Sequence, residues 1–110
     1  MSKKKLNNLQ SKIFELFSKP GNFDNLNISI EVLKTRISFK EGRFNYFILF
    51  PRKGIMTLHV NMRKYETVNK FKGFSLNCFN NAKQYLEINL SLSYDFKELF
   101  EQLNTNVKKN

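Results

Sequence analysis

The chain has 110 residues, of which 41% are hydrophobic, including twelve Phe and four Tyr. This length fits a single domain over residues 1–110, and the apolar content supports a core without disulfides or metal, which argues against a disordered chain. The net charge of +10 favours nucleic acid, anionic lipid or an acidic protein surface as partner. The single cysteine excludes an intrachain disulfide and fits a reducing, cytoplasmic location, and no apolar run approaches the roughly 20 residues of a membrane-spanning helix.

The first half of the chain predicts one helix and four strands. Residues 6–17 place their apolar side chains on one helical face, and Pro20 and Gly21 are expected to end that helix. Apolar and polar residues then alternate in strand-like segments, except at one segment that is apolar on both faces and is therefore placed centrally in the sheet. These segments span residues 26–32, 36–40, 44–50 and 56–60. Short turn signals between them, such as Glu41-Gly42, predict antiparallel hairpins.

The apolar period changes at residues 63–72. Tyr65, Val68 and Phe71 lie three residues apart, a spacing that predicts a short helix, and Gly73 is a natural end for it. Placed after four strands, this helix would connect the first part of the sheet to the second.

The last part of the chain predicts two strands, at residues 74–78 and 86–92, and a final helix. Asp95 and Glu98 form a capping-box-like start, and the apolar stripe ends at Leu103. Residues 1–5 and 104–110 are expected to be flexible. The whole pattern predicts an α+β fold with an antiparallel sheet of about six strands and three helices, in the order α-β-β-β-β-α-β-β-α.

Residues that would support catalysis are few and scattered. His59, the one histidine, lies on the polar phase of a strand without Cys or carboxylate at ligand spacing, so we expect a surface histidine rather than a metal ligand. Cys78 shares its strand phase with Phe74 and Leu76, which predicts a buried thiol. The carboxylates are dispersed and no glycine-rich phosphate loop is present. We therefore expect no enzyme activity, no metal and no cofactor.

Basic residues concentrate between residues 34 and 72, where ten Lys and Arg stand against two Glu. Most flank the predicted turns, and alternate turns of an antiparallel sheet lie at opposite ends, so this charge is expected to divide into two turn clusters, with a third cluster on the predicted short helix. The predicted nucleic-acid contacts are Lys34, Arg36, Lys40, Arg43, Arg52, Lys53, Arg63 and Lys64. Arg43 and Arg52 are the candidates to read bases if a hairpin enters a groove, and double-stranded DNA is the favoured partner.

Other interpretations remain open at this level. The basic residues can be ordinary solvated residues of turns, or lysines on edge strands that discourage aggregation. Phe47, Phe79 and Tyr85 fall on the non-core phase of their strands, where they would stack single-stranded bases or pack against a second copy, so RNA and a homodimer stay possible beside DNA and a monomer. The alternative function is a small protein-binding module or a phage-encoded inhibitor of a host protein. A membrane partner is not expected.

Residues 12–17, 43–47, 65–73 and 85–90, with the helix end Phe71-Lys72-Gly73, resemble the C-terminal domain of the MotA family of phage middle-promoter activators. The resemblance implies a double-wing fold, a curved antiparallel sheet that binds DNA and has helices behind it, and a role in transcription regulation. That family also has an N-terminal domain that contacts the transcription machinery, and no segment here corresponds to it. Residues 37–60 with the last helix are also similar to a small domain of unknown function found in some bacterial nuclease-associated and putative transport proteins.

Overall fold

Two helices and one antiparallel sheet form the part of the chain that the structure describes. This computed structural model describes residues 6–24, 26–66, 75–79 and 83–108, with the backbone alone at 75–79 and 83–84. In chain order the elements are α1 (Asn8–Ser18), β1 (Ser29–Val32), β2 (Ile37–Glu41), β3 (Phe44–Arg52), β4 (Ile55–Asn61), β5 (Ser75–Phe79), β6 (Lys83–Leu90) and α2 (Phe96–Thr105). The strands lie side by side in the order β1-β2-β3-β4-β6-β5. The predicted α+β class and the antiparallel pairing are confirmed.

Tight turns at glycines define the central hairpins. Gly42 (φ +59°) joins β2 to β3, and Gly54 (φ +78°) joins β3 to β4. Both residues occupy the left-handed region, which glycine enters without the steric cost that a Cβ imposes. Since β2, β3 and β4 pair antiparallel in sequence order, these two turns lie at opposite ends of the sheet.

The core lies between one face of the sheet and the two helices. The ring of Phe17 in α1 lies 4.9 Å from that of Phe100 in α2 and 5.8 Å from that of Phe47 in β3. Phe47 in turn stacks on Phe39 of β2 at 4.8 Å. The predicted position of Phe47 away from the core is therefore wrong. Because β3 is apolar on both faces, alternation could not decide which face the core would cover.

A buried glutamine ties α1 to the sheet. Asn7 caps the helix: its Oδ1 atom accepts a hydrogen bond from the backbone N–H of Gln10 at 2.8 Å. In return, Gln10 Oε1 accepts one from the backbone N–H of Asn7 at 3.0 Å. Gln10 Nε2 donates to the carbonyl oxygens of Arg52 at 2.6 Å and Ile55 at 2.7 Å, on either side of the β3–β4 turn. The buried positions of the helix thus include a polar residue that the predicted apolar stripe left out.

The end of the chain packs beside the end of β4. The predicted start of α2 is confirmed, because Asp95 Oδ1 accepts a hydrogen bond from the Glu98 amide at 3.1 Å. The helix then runs to Thr105, and Val107 forms a β-bridge with Tyr65. The sequence predicts a flexible segment from residue 104 onward, whereas backbone hydrogen bonds of 2.8 Å join residues 106 and 108 to residues 66 and 64.

The helix predicted at residues 63–72 does not form in its first four residues. Residues 62–64 form a turn, in which the Lys64 amide donates to the Asn61 carbonyl at 2.9 Å. Tyr65 is fully buried, and its hydroxyl donates to the Leu103 carbonyl of α2 at 2.8 Å. Contact with α2 thus overrides the local three-residue spacing. The remaining predicted residues of this helix, with Val68 and Phe71, lie outside the described residues.

Candidate functional site

The predicted cations divide between the two ends of the sheet. The Lys53 end, formed by the β1–β2 and β3–β4 turns, carries Lys34, Arg36, Arg52 and Lys53. The Arg43 end, formed by the β2–β3 turn and the turn after β4, carries Arg43, Arg63 and Lys64. This geometry separates the two groups along the full length of the central strands, so one compact ligand cannot contact both.

Lys40 lies in β2 near the Arg43 end, but its side chain is engaged on the sheet. Its Nζ atom lies 2.6 Å from Oε1 of Glu31 on the neighbouring strand β1. Both side chains are partly exposed, and pairs of this kind contribute about 0–1 kcal/mol to stability. The carboxylate nonetheless compensates the charge of Lys40, which makes Lys40 a weaker candidate for a nucleic-acid contact.

The Arg43 end surrounds a cavity of about 550 Å³. Its walls come from the β2–β3 hairpin, the turn after β4, Tyr85 of β6 and the segment after α2. Among the described residues, four cations and one carboxylate, that of Glu41, line it, which gives this part of the lining a net charge of +3. The cations of this cationic cavity are Arg43, Arg63, Lys64 and Lys108.

Lys108 is the cation of the cavity that the sequence prediction missed. It lies in the segment predicted to be flexible, and its amide donates to the Lys64 carbonyl at 2.8 Å, next to the bridge between Val107 and Tyr65. The one local signal for this contact was an apolar Val107 within an otherwise polar tail. The pairing therefore adds a fourth cation to a cavity that three predicted residues already line.

Aromatic side chains form the apolar part of the cavity wall. Phe44 is 60% exposed, although it lies in a strand directly after the β2–β3 turn. The Nζ atom of Lys64 lies 4.8 Å from the centre of the Phe44 ring and 5.5 Å from that of Tyr46, within cation–π range. The ammonium group is thus positioned by the same rings that line the cavity.

Hydrogen bonds hold the polar groups of the cavity in place. The Tyr46 hydroxyl donates to Oε1 of Glu41 at 2.8 Å, and burial together with this carboxylate raises the pKa of Tyr46, which keeps the phenol neutral. Asn61 Nδ2 donates to the Asn45 carbonyl at 2.9 Å. Oδ1 of Asn45 is buried and has no hydrogen-bond partner among the described residues, so this amide has unused hydrogen-bonding capacity. The Glu41 carboxylate is thus already engaged by Tyr46, whereas the Asn45 side chain is not fully paired.

The Lys53 end is different in shape and chemistry. A smaller pocket of about 290 Å³ lies between α1 and the β1–β2 turn, and it is mostly apolar, with Lys34 and Arg36 among its lining residues. The guanidinium of Arg52 lies 5.5 Å from the centre of the Phe50 ring. Arg52 thus packs on an aromatic side chain rather than extending from the turn.

His59 is buried and paired, so the predicted surface histidine is wrong. The side chain is 6% exposed, and Nε2 lies 2.7 Å from Oε2 of Glu87 on the neighbouring strand β6. Burial lowers the pKa of His59 more than the Glu87 carboxylate raises it. The imidazole is therefore neutral at pH 7 and donates its Nε2 proton to the carboxylate, and the centre of the tilted Phe50 ring lies 4.6 Å from that of the imidazole.

The described residues contain neither a metal-binding cluster nor a membrane-spanning helix. No group of three His, Cys, Asp or Glu side chains there is close enough to hold a metal ion. No helix in that same part of the chain has the length and apolarity needed to cross a membrane. The side chain of Cys78, predicted to be buried, lies outside the described residues.

Comparison with known proteins yields no match: no protein-family model, no curated protein and no solved structure corresponds to this chain. The resemblance to the MotA double wing therefore stays a prediction from the sequence. Function has to be argued from the cationic cavity and the surfaces around it.

Proposed function

We propose that this protein binds nucleic acid without catalysis and that the cationic cavity at the Arg43 end holds the phosphate backbone. The observation that carries the proposal is the convergence of four cations from separate parts of the chain on one concave surface. Glu41, the acidic lining residue, already accepts a hydrogen bond from Tyr46. The field inside the cavity therefore favours an anion.

The residue types suit phosphate. The guanidinium of Arg43 can donate two parallel hydrogen bonds to one phosphate, while Lys64 and Lys108 act as point charges. A net charge of +10 over the whole chain adds a long-range attraction that raises the rate of encounter with a polyanion. Double-stranded DNA, the partner favoured by the sequence and by the resemblance to a double-wing family, is the first ligand to test, and transcription regulation is the corresponding biological role.

Salt dependence tests this proposal. We expect random duplex DNA to bind at low salt, with an affinity that falls steeply as salt rises, because each phosphate contact releases counterions. Removing two cavity cations by Arg43→Ala and Lys108→Ala should weaken binding at least about tenfold and lower the slope of log affinity against log salt by about one per lost contact. Fluorescence anisotropy across a salt series measures both quantities.

The matched control removes the same residue types from the Lys53 end. Arg36→Ala with Lys53→Ala takes away one Arg and one Lys that are exposed, as Arg43 and Lys108 are. If this pair weakens binding as much as the cavity pair, net charge rather than the cavity is responsible. If the unsubstituted protein binds no duplex at low salt, duplex binding is ruled out.

A second candidate function is protein binding through β1. No described strand pairs with the outer edge of β1, all four of its residues are exposed, and the apolar side chains of Ile30 and Val32 are 42% and 37% exposed. Val32 also lines the apolar pocket at the Lys53 end, beside Lys34 and Arg36. The occupant that fits is an extended acidic segment whose apolar side chains enter the pocket and whose carboxylates meet the two cations.

A synthetic peptide of alternating Glu and Val tests this candidate. Adding it should protect the backbone amides of β1 from hydrogen exchange, because a new strand would bond to the open edge. Lys34→Glu should abolish that protection through charge repulsion. Equal protection by a peptide of alternating Lys and Val, or no protection by either peptide, would argue against an acidic strand as the partner.

A further inference from the structure

We infer that the cationic cavity receives one unpaired nucleotide of a single strand, with its base against Phe44 and its phosphate among the cations. This inference rests on the proposed nucleic-acid binding and specifies which form of nucleic acid the cavity accepts. The sequence favours a duplex partner from the placement of charge alone, whereas the size of the cavity and its aromatic wall favour an unpaired nucleotide.

The size of the cavity argues for a single nucleotide. About 550 Å³ lies within the ~300–1,000 Å³ range of small-molecule sites. A sphere of that volume is ~10 Å across. The major groove of B-DNA alone is ~12 Å wide, so the whole duplex is much wider than the cavity. A duplex can therefore touch the rim of the cavity but cannot fill it. An unpaired base with its sugar and phosphate can.

The exposed phenylalanine supplies a stacking surface. Phe44 remains 60% exposed, whereas Phe39 and Phe47 on the neighbouring parts of β2 and β3 are fully buried. Its backbone is held by pairing with Glu41 across the β2–β3 turn, so the ring stands at a defined place on the cavity wall. Proteins that bind single strands stack bases on such rings and bind the backbone with neighbouring cations.

The polar groups around Phe44 complete a nucleotide site. Arg43 adjoins Phe44 in sequence, and Lys64 lies 4.8 Å from the centre of the Phe44 ring, so positive charge lies next to the proposed base position. The Asn45 side chain lines the same cavity, and its Oδ1 atom is buried without a partner among the described residues. An amide offers both donor and acceptor groups, which is what the edge of an unpaired base presents.

Three ligands and two variants test the inference. The ligands are a short oligothymidylate, a blunt-ended hairpin duplex, and the same hairpin with a short single-stranded overhang. We expect the oligothymidylate and the overhang to bind about tenfold more tightly than the blunt duplex, a typical effect of stacking one base. Phe44→Leu should remove this preference, so that the three ligands bind with similar affinities, and Phe44→Tyr should retain it.

The outcomes separate this inference from the proposed function. If the blunt duplex binds as tightly as the single strand and Phe44→Leu changes neither affinity, the cavity does not take an unpaired nucleotide, yet nucleic-acid binding stands. If none of the three ligands binds at low salt, both fail. Thermal unfolding midpoints of the two variants should match that of the unsubstituted protein, because residue 44 is exposed. Amide chemical-shift changes at Arg43 and Asn45 on adding oligothymidylate give a measurement that needs no substitution, and their absence would overturn the inference.

Discussion

His59 shows how burial changes the chemistry of a side chain whose sequence neighbours look unremarkable. Its position on the polar phase of β4 predicts a solvated histidine. In the folded chain, however, Glu87 faces it from β6 and Phe50 packs against its ring. The cost of desolvating an imidazolium exceeds the attraction of one partly exposed carboxylate, which lowers the pKa of His59. The neutral form is therefore part of the folded state.

This burial predicts a pH dependence of stability. With the folded-state pKa below the ordinary 6.5, the unfolded chain binds more protons on the acid side. The contribution of His59 is thus fully present above about pH 6.5 and is lost as the pH falls through that value toward the lower folded-state pKa. His59→Gln, which cannot be protonated but can still donate to Glu87, should lose less stability between about pH 7 and pH 5.

Urea denaturation of both proteins at the two pH values measures the difference. The carboxylates that titrate in this range are common to both chains, so the contrast between the two isolates His59. A loss of equal size in the two proteins would show that His59 does not titrate on unfolding in this range.

Among the elements, α1 depends on a polar contact for its position on the sheet. Its apolar residues Ile13 and Phe17 enter the core, but Gln10 binds the carbonyl groups of Arg52 and Ile55 beside the β3–β4 turn. A helix stripe that is apolar can slide along an apolar sheet face, whereas two hydrogen bonds define one position. Gln10 therefore sets the register between α1 and the hairpin.

Gln10→Leu should destabilise the fold by about 1–3 kcal/mol, because it leaves two partly buried carbonyl oxygens without a donor and removes half of the capping box. Lys12→Leu is the matched control, since it places the same side chain on an exposed position of α1, and it should change stability by no more than about 0.5 kcal/mol. Chemical denaturation measures both. A Gln10→Leu variant as stable as the unsubstituted protein would show that packing alone positions the helix.

For the whole molecule, the distribution of charge matters more than its total. Cations of the turns divide between an end that surrounds a cationic cavity and an end whose pocket is mostly apolar. Antiparallel pairing imposes this separation, since consecutive turns alternate between the ends of the sheet. The two ends therefore support different hypotheses, nucleic acid at the Arg43 end and an acidic peptide at the Lys53 end, and the two sets of variants can be assayed independently in one protein.

The sequence by itself determined the α+β class, the hairpin turns at Gly42 and Gly54, the start of α2 and the division of cations between turns. These features depend on local alternation, turn chemistry and capping, which a few neighbouring residues specify. The tertiary structure alone decided that Lys108 joins Lys64, that Lys40 pairs with Glu31, and that His59 and Gln10 are buried. These outcomes depend on contacts between residues that are distant in sequence, which strand register and helix packing bring together. The local alternation of apolar and polar residues does not predict such contacts. For the same reason the cavity around Phe44, and with it the proposed nucleotide site, becomes apparent from the folded chain.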